Sequence, residues 1–461
     1  MDTVMEKKES FDSQISLWKI VLLQGLATIF LSYLCLVKGY GMIMLAFLGL
    51  AAVGLPILFQ PKVGLLLGIA LNVTSASAMF LGGFYMIVVV LTIAAWIFKL
   101  LTTEPVFVYA PQNRFVYALT AIIVLSLISA ENLELGFQSL EVYLKVILFY
   151  FLLVNIAGTP QVVRAILWVM VLSALSISLY GLYQFLSAPP VIGVLNRITS
   201  TREDPNNLAL TLVAIIPLCI ALVATERSIF LKVLAALSGV IVFFTVPLTL
   251  SRGGFLALIT ILILLVAKIR KKKLAVLVFL LVVGLALIIL PPTVWERAGT
   301  VGLSSMEASA RMRMQLLKGG LGMFSDHPFL GVGIGNFIVH SFRYSGLVPP
   351  QYAHNMFLHV AAETGILGLF FFIALLYLSW RILRRVQKSS LYDRESFCFQ
   401  VSQGLEISLL SFCVAAFFLS QHFNKMLWMI IGLTACIYQL HQMAQNRRHN
   451  GSDSTSSRIA S

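Results

Sequence analysis

The chain has 461 residues, 59% hydrophobic and only 11% charged, with a mean hydropathy of +0.93. A soluble domain carries about 25% charged residues, so these side chains could not cover a water-facing surface of this size, and lipid is the expected solvent. The net charge of +14 does not indicate nucleic acid, because the basic residues cluster in short loops between apolar runs, as membrane proteins mark their cytoplasmic side.

Crossing hydrocarbon takes about 20 apolar residues as helix. The N-terminal stretch 1–16 is polar and lacks a cleavable leader pattern, so the first span is expected to be retained. Runs of spanning length follow at 17–37, 40–59, 63–81, 82–100, 115–131, 138–157, 162–186, 206–225, 229–249, 253–268 and 274–291, then at 355–380, 399–420 and 425–443. The expected fold is all-α, a polytopic membrane helical bundle of about 12–14 transmembrane helices with one long outer loop. The runs are too long, and too apolar on every face, for the strands of a barrel. The chain thus divides into a cytoplasmic tail (1–16), eleven spans within 17–291, a long periplasmic or extracellular loop (292–353), three spans within 354–443, and a cytoplasmic disordered tail (444–461).

Lys and Arg set the orientation. With the N-terminus inside, 22 of the 33 fall on the inner side and ten outside, with Lys145 inside a span. The two densest blocks, Lys268 to Lys273 and Arg381 to Lys388, are separated by two spans and so agree on the side. Both termini are therefore expected in the cytoplasm. In the outer loop, Ser304-x-x-Glu307 reads as a capping box. Met312, Leu316 and Met323 follow at helical spacing, with Arg311, Gln315 and Lys318 on another face. A short amphipathic helix is expected, lying on the membrane or over a cavity.

Arginine recurs on the outer side against the general trend: Arg202 before a span, Arg252 in the short turn Leu250-Ser-Arg-Gly-Gly254, and Arg311 and Arg313 on the loop helix. A guanidinium at the edge of hydrocarbon is costly unless paired. Each either grips phosphate oxygens with its planar fork, or pairs with a carboxylate such as Glu203 or Asp204, or snorkels to headgroups. The second constellation is Gln351-Tyr-Ala-His-Asn355, followed by His359 and Glu363. A neutral imidazole takes a proton from a hydroxyl near neutral pH. On one helix His354 and Glu363 point about 180° apart, whereas His359 and Glu363, at i and i+4, share a face. His354 reads as the exposed site residue, and His359–Glu363 as a buried supporting pair.

Three features read as structural. Gly331-Val-Gly-Ile-Gly-Asn336 lacks the strand and Lys-Ser/Thr of a phosphate loop, so its glycines read as chain flexibility. Glu141 and Lys145 read as a self-neutralising pair facing the bundle interior. Cys35, Cys219, Cys398, Cys413 and Cys436 lie in or beside apolar runs without metal-ligand spacing, so they read as small buried hydrophobes.

Asp326-His-Pro-Phe-Leu-Gly-Val-Gly-Ile-Gly-Asn-Phe337, His354-Asn-Met-Phe-Leu358 and Glu363-Thr-Gly-Ile-Leu-Gly368 together resemble the O-antigen ligase and O-antigen polymerase family of bacterial envelopes. Ser251-Arg-Gly-Gly254 and Asp204-Pro-Asn206 match that family's other patches in the same order, and the resemblance covers roughly residues 195–380. It implies a type-C glycosyltransferase-like bundle that moves a glycan from undecaprenyl pyrophosphate to an acceptor hydroxyl at the outer face of the cytoplasmic membrane, with inversion and with no cofactor or metal. It implies that His354 and Arg252 are catalytic and that Arg202 binds substrate; Arg311, Arg313 and Asn355 are expected to bind substrate beside them, with His359 and Glu363 in support. The acceptor is lipid A-core sugar (ligase), the growing glycan (polymerase) or a protein hydroxyl (O-oligosaccharyltransferase), and the ligase pattern is the closest. From another class, a flippase or transporter for lipid-linked glycan would carry broken helices in related positions of two halves. No such repeat is visible, and the polar groups gather at one face.

Overall fold

The structure is a computed structural model and describes residues 53–74, 82–102, 109–187, 198, 204–268, 304–389 and 395–459, with isolated positions between 273 and 284. The expected runs at 17–37 and 274–291 and most of 40–59 lie outside these residues. Throughout the described residues the secondary structure is helical: α1 Pro61–Val73, α2 Gly82–Thr102, α3 Asn113–Ser126 extended by a 3-10 turn at Leu127–Ser129, α4 Leu133–Ile156, α5 Pro160–Ser187, α6 Pro205–Thr225, α7 Ile229–Leu248, α8 Arg252–Lys268, α9 Ser304–Asp326, α10 Phe337–Ser345, α11 Met356–Ser389, α12 Phe397–Ala416 and α13 Lys425–Ile459. Seven of them, α2, α4 to α7, α11 and α12, are long and apolar enough to cross a membrane. The protein is a polytopic helical bundle.

Backbone contacts divide the chain into two compact units, one of residues Met1–Gly68 and Leu81–Val106, the other of Ile69–Phe80 and Phe107–Ser461. In the first, Gly64 comes so close to Thr92 that no side chain fits between them. The second unit holds every described candidate residue. Its centre is α6, which packs against α5, α7, α8 and α12. Asp204 caps its start, accepting from Asn206 N at 2.8 Å, and Pro205 occupies the first turn, where a missing N–H costs nothing. Ser408 Oγ donates to Ala214 O at 2.6 Å, and a Cβ on Gly404 would sit 2.9 Å from Pro217 O. Helices meeting at small residues and bonding through hydroxyls are a packing solution for bilayers, where burying apolar area gives little drive.

One end of the bundle is closed by Glu406, which is buried on α12. It accepts from Lys268 Nζ at 2.6 Å, Gln387 Nε2 at 3.0 Å and Trp380 Nε1 at 3.2 Å, with Arg384 Nη1 3.5 Å away. Lys268 and Arg384, one from each dense basic block, thus meet at the same end. Arg252 and Lys268 are the first and last residues of α8, about 24 Å apart at 1.5 Å per residue.

At the other end α11 breaks. Gly365 sits at φ 65°, ψ −164°, inside a run that reads as uninterrupted by hydropathy. The segment 328–337 enters the gap. Val332 N donates to Ala362 O at 2.8 Å and Gly333 N to Glu363 O at 3.1 Å, while Pro328 O accepts from Ile366 N at 2.8 Å. These bonds replace rungs that the helix forfeits, as any backbone group removed from water requires. The glycines at 331, 333 and 335 are therefore not flexible, contrary to their reading in the sequence. All three have positive φ and lie against backbone or side chains of α11, of the α3–α4 turn and of α4, where a Cβ would collide. Asn336 secures the far edge, its Oδ1 accepting from Asn132 N at 2.7 Å and its Nδ2 donating to Asn132 O at 3.1 Å.

Other expectations need correction. Glu141 and Lys145 do pair, but their side chains are 64% and 50% exposed, so they face away from the bundle interior. Of the run 63–81, the described part is α1, which ends at Val73; residues 75–81 lie outside the described residues. α13 continues through Ile459, across residues read as a disordered tail. Once α13 is nucleated by its buried half, each added residue gains a hydrogen bond.

Candidate functional site

The loop helix α9 is the amphipathic element expected from its spacing. Leu316 and Met323 are fully buried and pack with Val332, Phe337, Leu358 and Ala362. Gly320 lets Leu358 approach, since a Cβ there would lie 2.7 Å from Leu358 Cγ. This seam sets α9 across the start of α11. Arg311 and Arg313, two residues apart, cannot share a helix face. Arg311 is exposed, whereas Arg313 turns inward, its guanidinium 5.9 Å over the Phe418 ring.

The turn after α12 brings in Arg252. A Cβ on Gly253 would lie 3.1 Å from Ala415 O and 3.6 Å from Phe418 Cβ, so the first turn of α8 rests on the same 415–418 turn that carries Arg313. Leu250, just before it, is left-handed at φ 56°. Ser251 Oγ accepts from Gly254 N at 3.3 Å, capping α8. Arg252 therefore stands at a helix N-terminus, where the dipole favours negative charge. Burial and then the Arg252 charge lower the proton affinity of Arg313, which places the two cations within electrostatic reach. Among the described residues no carboxylate forms an ion pair with either. Arg313 Nε is buried without a hydrogen-bond partner.

His354 is the other left-handed non-glycine residue among those described, at φ 48°. A conformation of this kind costs about 1–3 kcal/mol and persists where surrounding structure enforces it. Asn355 does the enforcing. Its Oδ1 accepts from Phe357 N at 2.9 Å and Leu358 N at 3.0 Å, starting α11 two residues after the histidine. This cap commits the side-chain carbonyl to the helix. His354 is half-buried. Burial first, then Arg313 and His359, lower its proton affinity, while Asp204 raises it. Arg252, Arg313, His354 and Asp204, from four separate segments, thus share one electrostatic neighbourhood. Arg202 lies outside the described residues.

Residues 237–373, from within α7 into α11, match the family model described as O-antigen ligase. Over this stretch the chain is similar to O-antigen ligases. Arg252, Arg313, His354, Asn355, His359 and Glu363 all lie inside the O-antigen ligase match, while Asp204 lies upstream of it. No curated protein matches the chain.

His359 and Glu363 sit behind His354 as the i, i+4 pair expected, with Nε2 to Oε1 at 3.1 Å. Glu363 Oε1 also accepts from Phe337 N at 3.0 Å, tying the pair to the loop seated in the helix break. Sequence reasoning missed three groups here. His422 lies in the turn before α13 with its ring centroid 4.5 Å from that of His359. Gln421 donates to Asn207 Oδ1 at 2.7 Å and accepts from Asn424 at 2.7 Å, giving the site a polar edge. His340, whose proton affinity is lowered chiefly by burial, has Nε2 3.4 Å from Glu131 Oε2. No local spacing signals them, because their partners are distant in sequence.

Proposed function

We propose that this chain transfers a glycan from undecaprenyl pyrophosphate to an acceptor hydroxyl, at the outer face of a bacterial cytoplasmic membrane, with both termini in the cytoplasm. What carries the reading is the pair Arg252 and Arg313, two cations within electrostatic reach of each other and without an ion-paired carboxylate among the described residues, beside a partly desolvated imidazole. Two like charges held together cost free energy until an anion lies between them, and a diphosphate supplies that anion. Guanidinium forks suit its oxygens.

In this mechanism the acceptor O–H attacks the anomeric carbon from the face opposite the leaving group. The new C–O bond forms as the bond from that carbon to the phosphate oxygen breaks, so the configuration inverts. The electron pair leaves on undecaprenyl pyrophosphate, whose growing negative charge Arg252 and Arg313 stabilise, and the proton passes to His354. Preorganised charge of this kind usually supplies the largest share of a rate enhancement. Burial and Arg313 keep His354 neutral, as a base must be. Asp204 stabilises the imidazolium that forms. The guanidinium pair neutralises the leaving group, so the chemistry needs no cofactor or metal. Arg202 is a further donor contact, and Arg311 lies near the rim of α9. The closest acceptor class is lipid A-core sugar, with a growing glycan or a protein hydroxyl as alternatives, and membrane lipid surrounds the donor's polyprenyl tail.

Purified protein in lipid nanodiscs with undecaprenyl-pyrophosphate glycan and acceptor tests this directly. Product without an energy source is expected, and intact donor crossing a vesicle membrane without product would replace the transferase reading with a flippase. Deleting the gene then separates acceptors: surface glycan lost at normal chain length indicates a ligase, and single repeat units indicate a polymerase.

A further inference from the structure

We propose that His359, Glu363 and His422 form a binding site for a divalent transition-metal ion of the zinc type, which ties the start of α11 to the turn before α13. One ligand atom from each residue lies within 4.8 Å of the others. All three residues are at least nine-tenths buried, at 5%, 3% and 7% exposure. Two come from one face of α11, and the third arrives from a turn some sixty residues later.

The side chains are conspicuously unsatisfied. Nδ1 and Nε2 of His359 and Nδ1 of His422 are buried and have no hydrogen-bond partner among the described residues; His359 Nε2 is near Glu363 but not aligned with it as a hydrogen bond. Each unpaired buried polar group costs about 1–3 kcal/mol. A proton on His359 would give an imidazolium beside Glu363, yet it would leave His422 Nδ1 unpaired. A divalent ion takes a lone pair from each ring and an oxygen from the carboxylate, and it offsets the buried negative charge. The 3.1 Å between His359 Nε2 and Glu363 Oε1 is close to the edge of a tetrahedron whose bonds are about 2.0–2.2 Å. Two imidazoles and one carboxylate suit zinc and its neighbours, whereas calcium and magnesium prefer oxygen alone.

The surroundings complete the site. Phe337 N orients Glu363 at 3.0 Å, and Trp428 Nε1 donates to His422 O at 3.1 Å, fixing the turn. Outer contacts of this kind hold metal ligands in register. A small cavity bordered by Tyr143, Glu363, Thr364 and His422 adjoins two of the three, with room for a further ligand such as water. The ion is a positioning element behind His354 and takes no part in the transfer step.

The test uses full-length protein in nanodiscs, stripped with a chelator and titrated with Co2+ alone. Expected are one Co2+ per chain, visible d–d absorption of a low-coordinate nitrogen and oxygen site, displacement by Zn2+, and a higher unfolding midpoint. Losing even an outer partner costs about 10–100-fold in metal affinity, so His422→Gln and Glu363→Gln are expected to weaken Co2+ uptake by at least that factor. Monodisperse wild-type protein that takes up no Co2+ with these bands overturns the proposal, and so does unchanged uptake in folded His422→Gln. Neither readout involves transfer, so failure here leaves the glycosyltransferase reading untouched.

Discussion

Gly331 offers a sharp test of how the site is held. Its φ is +69°, and a Cβ there would lie 2.5 Å from both Ala362 O and Thr364 N, backbone atoms at the break in α11. Gly346 has nearly the same backbone, φ +70°, with no atom within 4 Å of the corresponding position. Alanine at Gly346 therefore carries only the conformational penalty of a left-handed residue, about 1–2 kcal/mol. Alanine at Gly331 adds overpacking of about 1–3 kcal/mol, because the neighbour that must yield is backbone and not a side-chain tip. The total is about 2–5 kcal/mol. Thermal unfolding of both variants in identical nanodiscs compares the two costs directly. Gly331→Ala is expected to lower the midpoint about twice as far as Gly346→Ala or more, and to reduce transfer beyond the loss of folded protein, since α11 presents His354. Equal shifts in the two variants would refute the seated loop and restore a flexible linker.

Three further outcomes follow. Arg252→Lys keeps the charge but loses the two-pronged grip, so transfer is expected to drop about 10²–10³-fold with normal membrane insertion; full activity would remove the diphosphate clamp. Because His354 has a lowered proton affinity, its basic form persists below the usual histidine range, and transfer is expected to fall only as pH drops through that lower value. Arg313→Gln removes one cause of the lowering, so the acid limb of the kcat/KM profile should move to higher pH, while Asp204→Asn should move it lower; an unmoved limb in both would separate His354 from the reaction. Lys268→Met leaves the buried Glu406 without its closest cation and is expected to destabilise by less than the ~3–5 kcal/mol of an uncompensated buried charge, because Arg384 stays 3.5 Å away; the effect is read as a lower unfolding midpoint, with the kinetics of the remaining folded protein unchanged.

Helices were legible wherever composition and capping agreed. The run read at 206–225 is α6, Pro205–Thr225, because Asp204 and Pro205 mark its start chemically as well as by hydropathy. The i, i+4 logic placed His359 beside Glu363, and the amphipathic spacing of α9 located its buried face. Hydropathy has no sensitivity to φ, so the break at Gly365 was invisible within an apolar run. The same blindness turned three tightly seated glycines into apparent flexibility. Charge pattern marked Arg311 and Arg313 alike, and only the seam between α9 and α11 decides which of them turns inward. His422 was unreadable for a different reason: its neighbour is in α11, and nothing in the intervening chain encodes that meeting.

The interruption in α11 also has a mechanical meaning. A continuous rod from His354 to Ser389 would transmit every tilt or change of bilayer thickness straight to the imidazole. With the rod cut at Gly365 and its upper stub stitched to the 328–337 segment, the reactive end is anchored to protein and the lower shaft is left to follow the lipid. On the proposed mechanism, a bilayer of different thickness would tilt the shaft below the joint and leave the His354 end where the 328–337 segment holds it.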